Sequence, residues 1–314
     1  PIMAGKTVIL VGDHKQLPPM YVERYDKDGL PEDDPLAVRE RRFAEMYTEP
    51  LFETLFESSP ETSKTMLTTQ YRMAEQIMGA INRFYDGKLT AGCRPEDKVH
   101  RFDISSGDKK LIDGTNSVVF VDCRGRNVLQ QGSTSFENPE EAAVVTKLVK
   151  LLEKNCRYTA DGTEELQTQT PDYRKMSMGI ITPYSAQVRL IRGQTDIYYS
   201  NLRRGGRESA FKTLGEERFM IRSVDDFQGD ERDVIILSLV RTSRSNFISD
   251  FRRLNVAMSR ARRLLVIVGN AETLEKQDID VDRNGNPRPV YKEIIEDIRK
   301  NGGYLTAEDI LEAE

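Results

Sequence analysis

Apolar residues in this chain cluster into short runs, rich in β-branched side chains, between polar segments with helical periodicity. The run over residues 234–240 (Val-Ile-Ile-Leu-Ser-Leu-Val) suits a strand that is buried on both faces of a sheet. Similar runs predict strands at 6–12, 117–122, 178–182, 219–224 and 264–269. Between the strands, the pattern predicts helices at 51–56, 74–85, 139–154, 184–195 and 289–301. This alternation indicates an α/β fold with a doubly wound parallel sheet.

The composition narrows the class of protein. The chain has 314 residues, of which 38% are hydrophobic, and no apolar stretch approaches the roughly 18 residues that a membrane span needs. The first residues lack the layout of a secretory signal. Three scattered cysteines and two histidines indicate neither a disulfide framework nor a metal site. We expect an intracellular protein, cytoplasmic or nuclear, with no membrane partner and no metal ligands of its own.

The most informative pattern lies in residues 222–262, on both sides of the 234–240 run. Its flanking segments bring Gln228, Glu231, Arg260 and Arg262 near one end of the predicted sheet. Hydrogen-bonding and cationic groups gathered in this way favour a polyanionic ligand, such as a nucleotide or a nucleic-acid backbone. The net charge of −5 argues against binding through overall basicity but leaves room for a basic groove.

Five segments resemble, in the right order, the later motifs of the superfamily 1B helicases, which include the nonsense-mediated decay helicase, senataxin and Dna-two-like enzymes. Gly12-Asp-His-Lys-Gln-Leu-Pro-Pro19 is similar to motif III, and Gln70-Tyr-Arg-Met73 to the motif that opens the second RecA-like lobe. Ile181-Thr-Pro-Tyr-Ser-Ala-Gln187 resembles motif IV. Residues 223–233 and 252–262 resemble motifs V and VI. The resemblance spans about residues 6–270 and implies a RecA-like fold and ATP-driven movement, 5′ to 3′, along a strand.

The resemblance also implies roles for residues that would handle ATP. Arg72 and Arg260 match the two arginines that reach the γ-phosphate, where a guanidinium can stabilise the charge of the transition state. Gln16 matches the glutamine that senses that phosphate. The alternative for either arginine is a structural pairing with an acid such as Asp225 or Asp226.

Further residues match the nucleotide-binding positions of the family. Tyr71 resembles the aromatic residue that packs on the adenine, although a core role has equal weight. Glu231 matches the acid that accepts hydrogen bonds from the ribose hydroxyls. Gly229 allows a close approach of the backbone to a ligand, and Gln228 helps to arrange the same loop. Two roles remain open for Arg262: it could contact a ligand, or it could join motif VI to motif V.

A third group matches positions that touch the nucleic-acid backbone: Thr182, Pro183, Tyr184 and Ser223. Hydroxyls and backbone N–H groups can hold phosphates without reading the sequence of bases. Local capping is an equally good interpretation of Thr182 and Ser223. The expected partner is a single strand of DNA or RNA, and contacts of this type do not choose between the two.

Some expected parts of the family are absent from the sequence. It contains no Gly-x-x-x-x-Gly-Lys-[Ser/Thr] loop for phosphates and no Asp-Glu box for Mg²⁺ before the first predicted strand. We therefore expect a C-terminal motor part whose ATP and Mg²⁺ need a first lobe encoded upstream. The predicted domains are the tail of that first lobe (1–60), the second RecA-like lobe (61–275), and a C-terminal helix and tail (276–314), with insertions at 20–50 and 193–217.

Two other functions remain open at this level. The chain could be a non-catalytic binding or regulatory module with a helicase-like lobe, which an upstream Walker lysine would exclude. It could also belong to a nuclease–helicase fusion, for which clusters of Cys or carboxylate residues upstream would be the sign.

Overall fold

The computed structural model describes residues 6–18, 51–100, 102–155, 176–205, 215–243, 245–280 and 287–314. The chain divides into two compact units, residues 1–67 and 68–314, so the boundary lies a few residues beyond the predicted one. The insertion predicted at 20–50 lies outside the described residues. So do residues 206–214 of the second predicted insertion.

The first unit contains one described helix, α1 (Leu51–Ser58), and a 3₁₀ turn at Glu61–Ser63. The strand predicted at residues 6–12 is wrong for this structure, because this segment has no strand conformation and Ile9 and Val11 are 86% and 91% exposed. A buried strand needs hydrogen-bonded neighbours. The described residues of this unit supply none.

The second unit holds the sheets and the remaining described helices. Its strands are β1 (Thr69–Gln70), β2 (Thr90–Ala91), β3 (Ile104–Ser106), β4 (Lys109–Ile112), β5 (Val118–Asp122), β6 (Val128–Leu129), β7 (Phe136–Glu137), β8 (Met178–Thr182), β9 (Phe219–Ser223), β10 (Arg232–Ser238), β11 (Ala261–Gly269), β12 (Ile279–Asp280), β13 (Pro287–Arg288) and β14 (Tyr304–Thr306). Its helices are α2 (Glu75–Ile81), α3 (Pro139–Asn155), α4 (Ser185–Arg204), α5 (Asn246–Ser249), α6 (Phe251–Ser259), α7 (Ala271–Glu275), α8 (Val290–Lys300) and α9 (Ala307–Leu311).

A six-stranded sheet forms the centre of this unit. Its order is β14-β5-β11-β10-β8-β9, and every neighbouring pair is parallel. The other described strands form four two-stranded pairs, β1–β2, β3–β4, β6–β7 and β12–β13. Because β5, β8, β10 and β11 are apolar on both faces, helices must cover both sides of the sheet.

Helices do pack on both faces, which confirms the predicted doubly wound α/β fold. Helices α3, α4 and α9 enclose one core with alternate strand residues such as Ile180, Ile236 and Val266. Helices α2, α6 and α8 contact the same sheet through β5, β10 and β11. Strand residues of opposite parity, such as Ile235 and Ile267, are buried as well. Among the described residues, no helix combines the length and apolarity that crossing a bilayer requires.

Two predictions about the ends of elements were wrong. Residues 276–314 were expected to form a helix and a tail, but the end of this segment is structured: β14 pairs with β5, and Ile310 and Ala313 are fully buried. A strand of three residues is too short to show a periodic pattern. Helix α4 continues to Arg204, well past its predicted end at 195, because Tyr199 keeps the buried stripe going within a polar sequence.

Candidate functional sites at the two edges of the sheet

One cluster lies at the amino edge of the sheet, where β10 and β11 begin. Glu231 immediately precedes β10, while Arg260 and Arg262 flank the first residue of β11. The two strands are locked side by side here, because Arg232 donates its backbone N–H to the carbonyl oxygen of Arg260 at 3.0 Å. The predicted grouping of these residues at one end of the sheet is confirmed. The edge is the amino one, opposite the carboxyl edge where open α/β sheets commonly hold ligands.

Glu231 lies between two arginines. Its carboxylate forms an ion pair with the Nε of Arg72 and accepts a hydrogen bond of 2.9 Å from the Nε of Arg262. Partial burial alone would raise the pKa of Glu231, but the hydrogen bond and charge of Arg262 and the charge of Arg72 lower it below its usual value. Arg262 thus ties motif VI to motif V, one of the two roles left open for it.

The position of Arg72 follows from the turn that carries it. The side-chain oxygen of Gln70 accepts the backbone N–H groups of Arg72 and Met73 at 2.9 and 2.8 Å. The next residue, Ala74, donates its N–H to the carbonyl of Arg262 at 2.8 Å. These bonds hold the turn against the start of β11, so Arg72 and Arg262 reach the same carboxylate.

Tyr71 presents an aromatic ring to solvent next to Arg72. Its side chain is 66% exposed, so the core role considered for it is excluded here. The ring lies over Gly92, where an added Cβ would come within 2.5 Å of it. Only glycine at position 92 leaves room for the ring in this orientation.

Arg260 is oriented into its own unit. The residue is 3% exposed. Its guanidinium donates to the carbonyl oxygens of Val256 at 3.0 Å and Asp230 at 3.4 Å, and to the hydroxyl of Ser259 at 2.9 Å. Asp225, one of the acids considered as a structural partner, is within 3.6 Å of the Nε of Arg253. Arg260 therefore braces the amino edge in this structure, and its contact with a phosphate stays a prediction.

The segment between β9 and β10 crosses the sheet to reach this edge. Phe227 is fully buried and lies on Gly179 of β8, where an added Cβ would meet its ring at 2.5 Å. Gln228 and Gly229 follow and are exposed. Gly229 has φ +92°, a backbone conformation that residues other than glycine rarely adopt. The crossing thus ends in an exposed backbone turn directly before Glu231.

These groups fit a nucleotide. Two part-exposed guanidinium groups suit phosphate oxygens, a carboxylate suits hydroxyl groups, and the exposed ring of Tyr71 suits a base. For Mg²⁺ the fit is poor, because the described part of the chain contains no group of three carboxylate, His or Cys residues that could hold a metal ion.

At the carboxyl edge, Thr182 and Ser223 end the neighbouring strands β8 and β9 in register with each other. Thr182 is fully buried, and its hydroxyl has no hydrogen-bond partner among the described residues. Ser223 caps the following 3₁₀ turn, since its hydroxyl donates to the carboxylate of Asp226 at 2.6 Å and accepts the N–H of Asp226 at 3.2 Å. Local capping therefore describes Ser223 in this structure but leaves the hydroxyl of Thr182 unexplained.

Pro183 and Tyr184 connect β8 to α4 at the same edge. Tyr184 occupies the position before the first residue of the helix. Its ring meets that of Phe136 edge to face, with centroids 5.7 Å apart, and its hydroxyl is 3.3 Å from that of Ser245. This loop is thereby joined to the hairpin β6–β7 and to the segment that follows β10.

Sequence reasoning missed a buried polar network under the same edge. Asn138, Glu141, Gln187 and Ser238 are all fully buried. Glu141 accepts hydrogen bonds from the hydroxyl of Ser238 at 2.7 Å, the backbone N–H of Val240 at 2.9 Å, and the Nδ2 of Asn138 at 3.2 Å. Burial raises the pKa of Glu141 to about 7, despite these hydrogen bonds. The signal that could have revealed this network is Glu141 itself, an acid on the apolar stripe of α3, four residues before Val145.

Gln16 belongs to the first unit and shapes the loop that resembles motif III. Its Nε2 donates to one carboxylate oxygen of Asp13 at 2.7 Å, and Lys15 donates its backbone N–H to the other at 3.0 Å. The Asp13 side chain thus folds residues 13–16 into a compact turn. Pro19, the end of this motif, lies outside the described residues.

Comparisons with known proteins agree on one family. The family model described as AAA domain matches residues 47–272. An uncharacterized ATP-dependent helicase of Methanocaldococcus jannaschii is 34% identical over 284 residues, which cover 88% of this chain and 34% of the relative. Regulator of nonsense transcripts 1 of Dictyostelium discoideum is 32% identical over 288 residues, which cover 89% of this chain and 18% of the relative.

Solved structures include one of similar extent. The C-terminal domain of a possible DNA helicase from Lactobacillus plantarum WCFS1 is 14% identical with a TM-score of 0.35, and the match covers 76% of this chain and 99% of that domain. The two curated relatives are much longer, since the matched regions make up 34% and 18% of their lengths.

Proposed function

This chain belongs to the superfamily 1B helicases, and we propose that it is the C-terminal motor part of an ATP-dependent helicase or translocase on single-stranded nucleic acid. The observation that carries the proposal is the cluster of Arg72, Glu231 and Arg262 at the amino edge. Its two part-exposed guanidinium groups, together with the exposed ring of Tyr71 next to Arg72, support nucleotide binding at this edge.

In this proposal the amino edge binds ATP. Tyr71 stacks on the adenine, and Glu231 accepts hydrogen bonds from the ribose hydroxyls when its arginines turn to the phosphates. Gln228 and Gly229 bring the backbone close to the nucleotide. Arg72 and Arg260 stabilise the charge that spreads over the phosphoryl oxygens during transfer. For Arg260 this requires the guanidinium to leave its present carbonyl partners, Val256 and Asp230.

The carboxyl edge binds the nucleic-acid strand. The backbone N–H of Tyr184, which follows Pro183, and the hydroxyls of Thr182, Tyr184 and Ser223 are suited to phosphate oxygens, without selecting bases. The crossing segment from β9 to β10 runs from this edge to the nucleotide site. A change at one edge can therefore reach the other through residues 224–231.

Catalysis needs parts that the 314 residues do not contain. Gln16 would sense the γ-phosphate together with a phosphate-binding loop, and carboxylates of that same first lobe would hold Mg²⁺, which would neutralise phosphate charge. The isolated 314-residue chain should therefore hydrolyse no ATP above background. Within a complete protein it would act inside the cell, where ATP and nucleic acid occur together.

The test uses the full-length protein that contains these residues. ATP hydrolysis is measured with and without single-stranded DNA and RNA, and unwinding is followed in a single turnover on matched DNA and RNA duplexes with single-stranded overhangs. We expect stimulation by at least one nucleic acid and unwinding of the matching duplex. If neither nucleic acid stimulates hydrolysis and neither duplex is unwound, the motor assignment is wrong and a binding module takes its place.

A further inference from the structure

The backbone bends sharply where β10 ends. Arg241 donates its N–H to the carbonyl of Leu239 at 2.7 Å, which closes a γ-turn around Val240. Val240 has φ +68°, a rare conformation for a β-branched residue that persists only when its surroundings enforce it. Backbone strain of this kind is concentrated at functional sites.

The buried network enforces this turn. Glu141 accepts the N–H of Val240 at 2.9 Å, and Asn138 donates its Nδ2 to the carbonyl of Val240 at 3.2 Å. Both backbone polar groups of Val240 are therefore held by the first turn of α3 and the residue that precedes it. Gln187 joins the network by donating to the hydroxyl of Ser238 at 3.1 Å and to the carbonyl of Asn138 at 3.2 Å.

The turn determines the direction of the next three residues, 241–243. The guanidinium of Arg241 lies over the ring of Phe136, 4.0 Å from its centroid, and donates to the hydroxyl of Ser243 at 3.0 Å. Thr242 donates its N–H and its hydroxyl to the side-chain oxygen of Asn127 at 2.9 and 2.7 Å. Phe136 also contacts Tyr184. The 240–243 loop is therefore joined to the loop assigned to the nucleic-acid backbone.

We propose that Asn138 and Glu141 are positioning residues that hold the 240–243 loop, and Arg241 in particular, in place for the phosphates of a single-stranded nucleic acid. The inference rests on the proposed function of the carboxyl edge. It adds Arg241 as a cationic contact to an edge otherwise assigned hydroxyls and backbone groups. A guanidinium fixed by stacking on an aromatic ring loses little side-chain freedom when it binds a phosphate.

The experiment measures the affinity of the full-length protein for labelled oligodeoxythymidine and for oligouridine. Arg241→Ala and Glu141→Ala should each weaken binding about tenfold, whereas Glu141→Gln should stay within about threefold, because an amide oxygen still accepts the N–H of Val240. The control is Glu296→Gln, which removes an exposed carboxylate from the middle of α8. It should leave affinity unchanged.

A double-mutant cycle separates positioning from general stability. If Glu141 acts through Arg241, Glu141→Ala combined with Arg241→Ala should bind no more weakly than either single variant. Asn127→Ala loosens the same loop from a half-buried site and should weaken binding about threefold. It replaces Glu141→Ala in the cycle if that variant does not fold. Additive losses would overturn the inference while the motor assignment stands. Failure of the unchanged protein to bind either oligonucleotide would overturn both.

Discussion

The two edges of the sheet hold their carboxylates in opposite ways. At the amino edge, the side chains of Glu231, Arg72 and Arg262 are 28%, 38% and 42% exposed. At the carboxyl edge, Glu141 is 0% exposed and accepts hydrogen bonds from Ser238, Asn138 and the backbone of Val240. Consequently the pKa of Glu231 is lowered, whereas burial raises the pKa of Glu141.

The difference indicates what each edge is built for. Ion pairs near solvent contribute only about 0–1 kcal/mol, so a polyanion can replace Glu231 as the partner of the arginines at small cost. A buried network is expensive to disrupt, because any group left without a partner loses its hydrogen bonds. Under the proposed function, the amino edge is therefore suited to exchanging Glu231 for the phosphates of a nucleotide. The carboxyl edge is suited to holding a backbone in one shape.

The largest expected effect concerns the arginines at the amino edge, which would exchange their present protein partners for a phosphate. In the full-length protein, Arg72→Ala or Arg260→Ala should lower kcat for ATP hydrolysis by about 1000-fold or more, because an arginine finger contributes about 10³- to 10⁵-fold to kcat. Arg204→Ala, at the exposed end of α4, is the matched control. Steady-state hydrolysis with saturating nucleic acid is the measurement. If Arg260→Ala lowers the free energy of unfolding but leaves kcat intact, Arg260 is only a brace.

Because the carboxyl group of Glu141 is buried at the carboxyl edge, the free energy of unfolding should depend on pH. Each unit of pKa difference corresponds to about 1.4 kcal/mol, so a rise from 4.5 to about 7 at Glu141 corresponds to about 3 kcal/mol. This contribution to the free energy of unfolding is fully present below pH 4.5 and is lost as the pH rises through about 7. Glu140 and Cys123 lie beside this group. The free energy of unfolding, measured with urea between pH 5 and 8, should fall less steeply in Glu141→Gln. Equal slopes would contradict the assigned pKa.

The sequence predicts the amino edge of the sheet better than the carboxyl edge. Long β-branched runs identified β5, β8, β10 and β11, because strands buried on both faces leave a continuous apolar signal. Once these strands were placed, the gathering of Glu231 and Arg262 at one end of the sheet followed from chain connectivity, whereas their contact depends on β10 and β11 being neighbours. The short strand β14 and the second half of α4 were missed because their apolar positions are too few or too diluted to show a period.

The buried network escaped prediction for a different reason. Glu141 and Asn138 are polar residues at the start of a helix, where capping is an adequate local explanation. Their bonds to Val240, about a hundred positions away in the sequence, arise only when α3 packs against β10. Likewise, the direction of the Arg260 side chain depends on tertiary packing, so its match to a motif could not reveal that it is buried.

A smaller effect should show whether Glu231 binds the ribose of the nucleotide or only restrains Arg72 and Arg262. If its carboxylate accepts hydrogen bonds from ribose hydroxyls, Glu231→Ala should weaken binding of a non-hydrolysable ATP analogue about tenfold, and binding of the 2′,3′-dideoxy analogue much less. Isothermal titration of the full-length protein measures both affinities. If Glu231 only restrains Arg72 and Arg262, both analogues should change by the same factor. Glu272→Gln, an exposed carboxylate on α7, is the control for charge alone.

The smallest expected effect concerns the buried hydroxyl of Thr182, which has no hydrogen-bond partner among the described residues. Thr182→Val keeps the shape of the side chain and removes this hydroxyl. It should raise the free energy of unfolding of the nucleic-acid-free protein by about 1 kcal/mol. It should also weaken oligonucleotide binding about threefold, if the hydroxyl finds its partner in the bound strand. Ser223→Ala is the comparison, because its hydroxyl already caps Asp226 and its loss should destabilise the protein. A Thr182→Val variant that is more stable and binds with unchanged affinity would remove Thr182 from the nucleic-acid site.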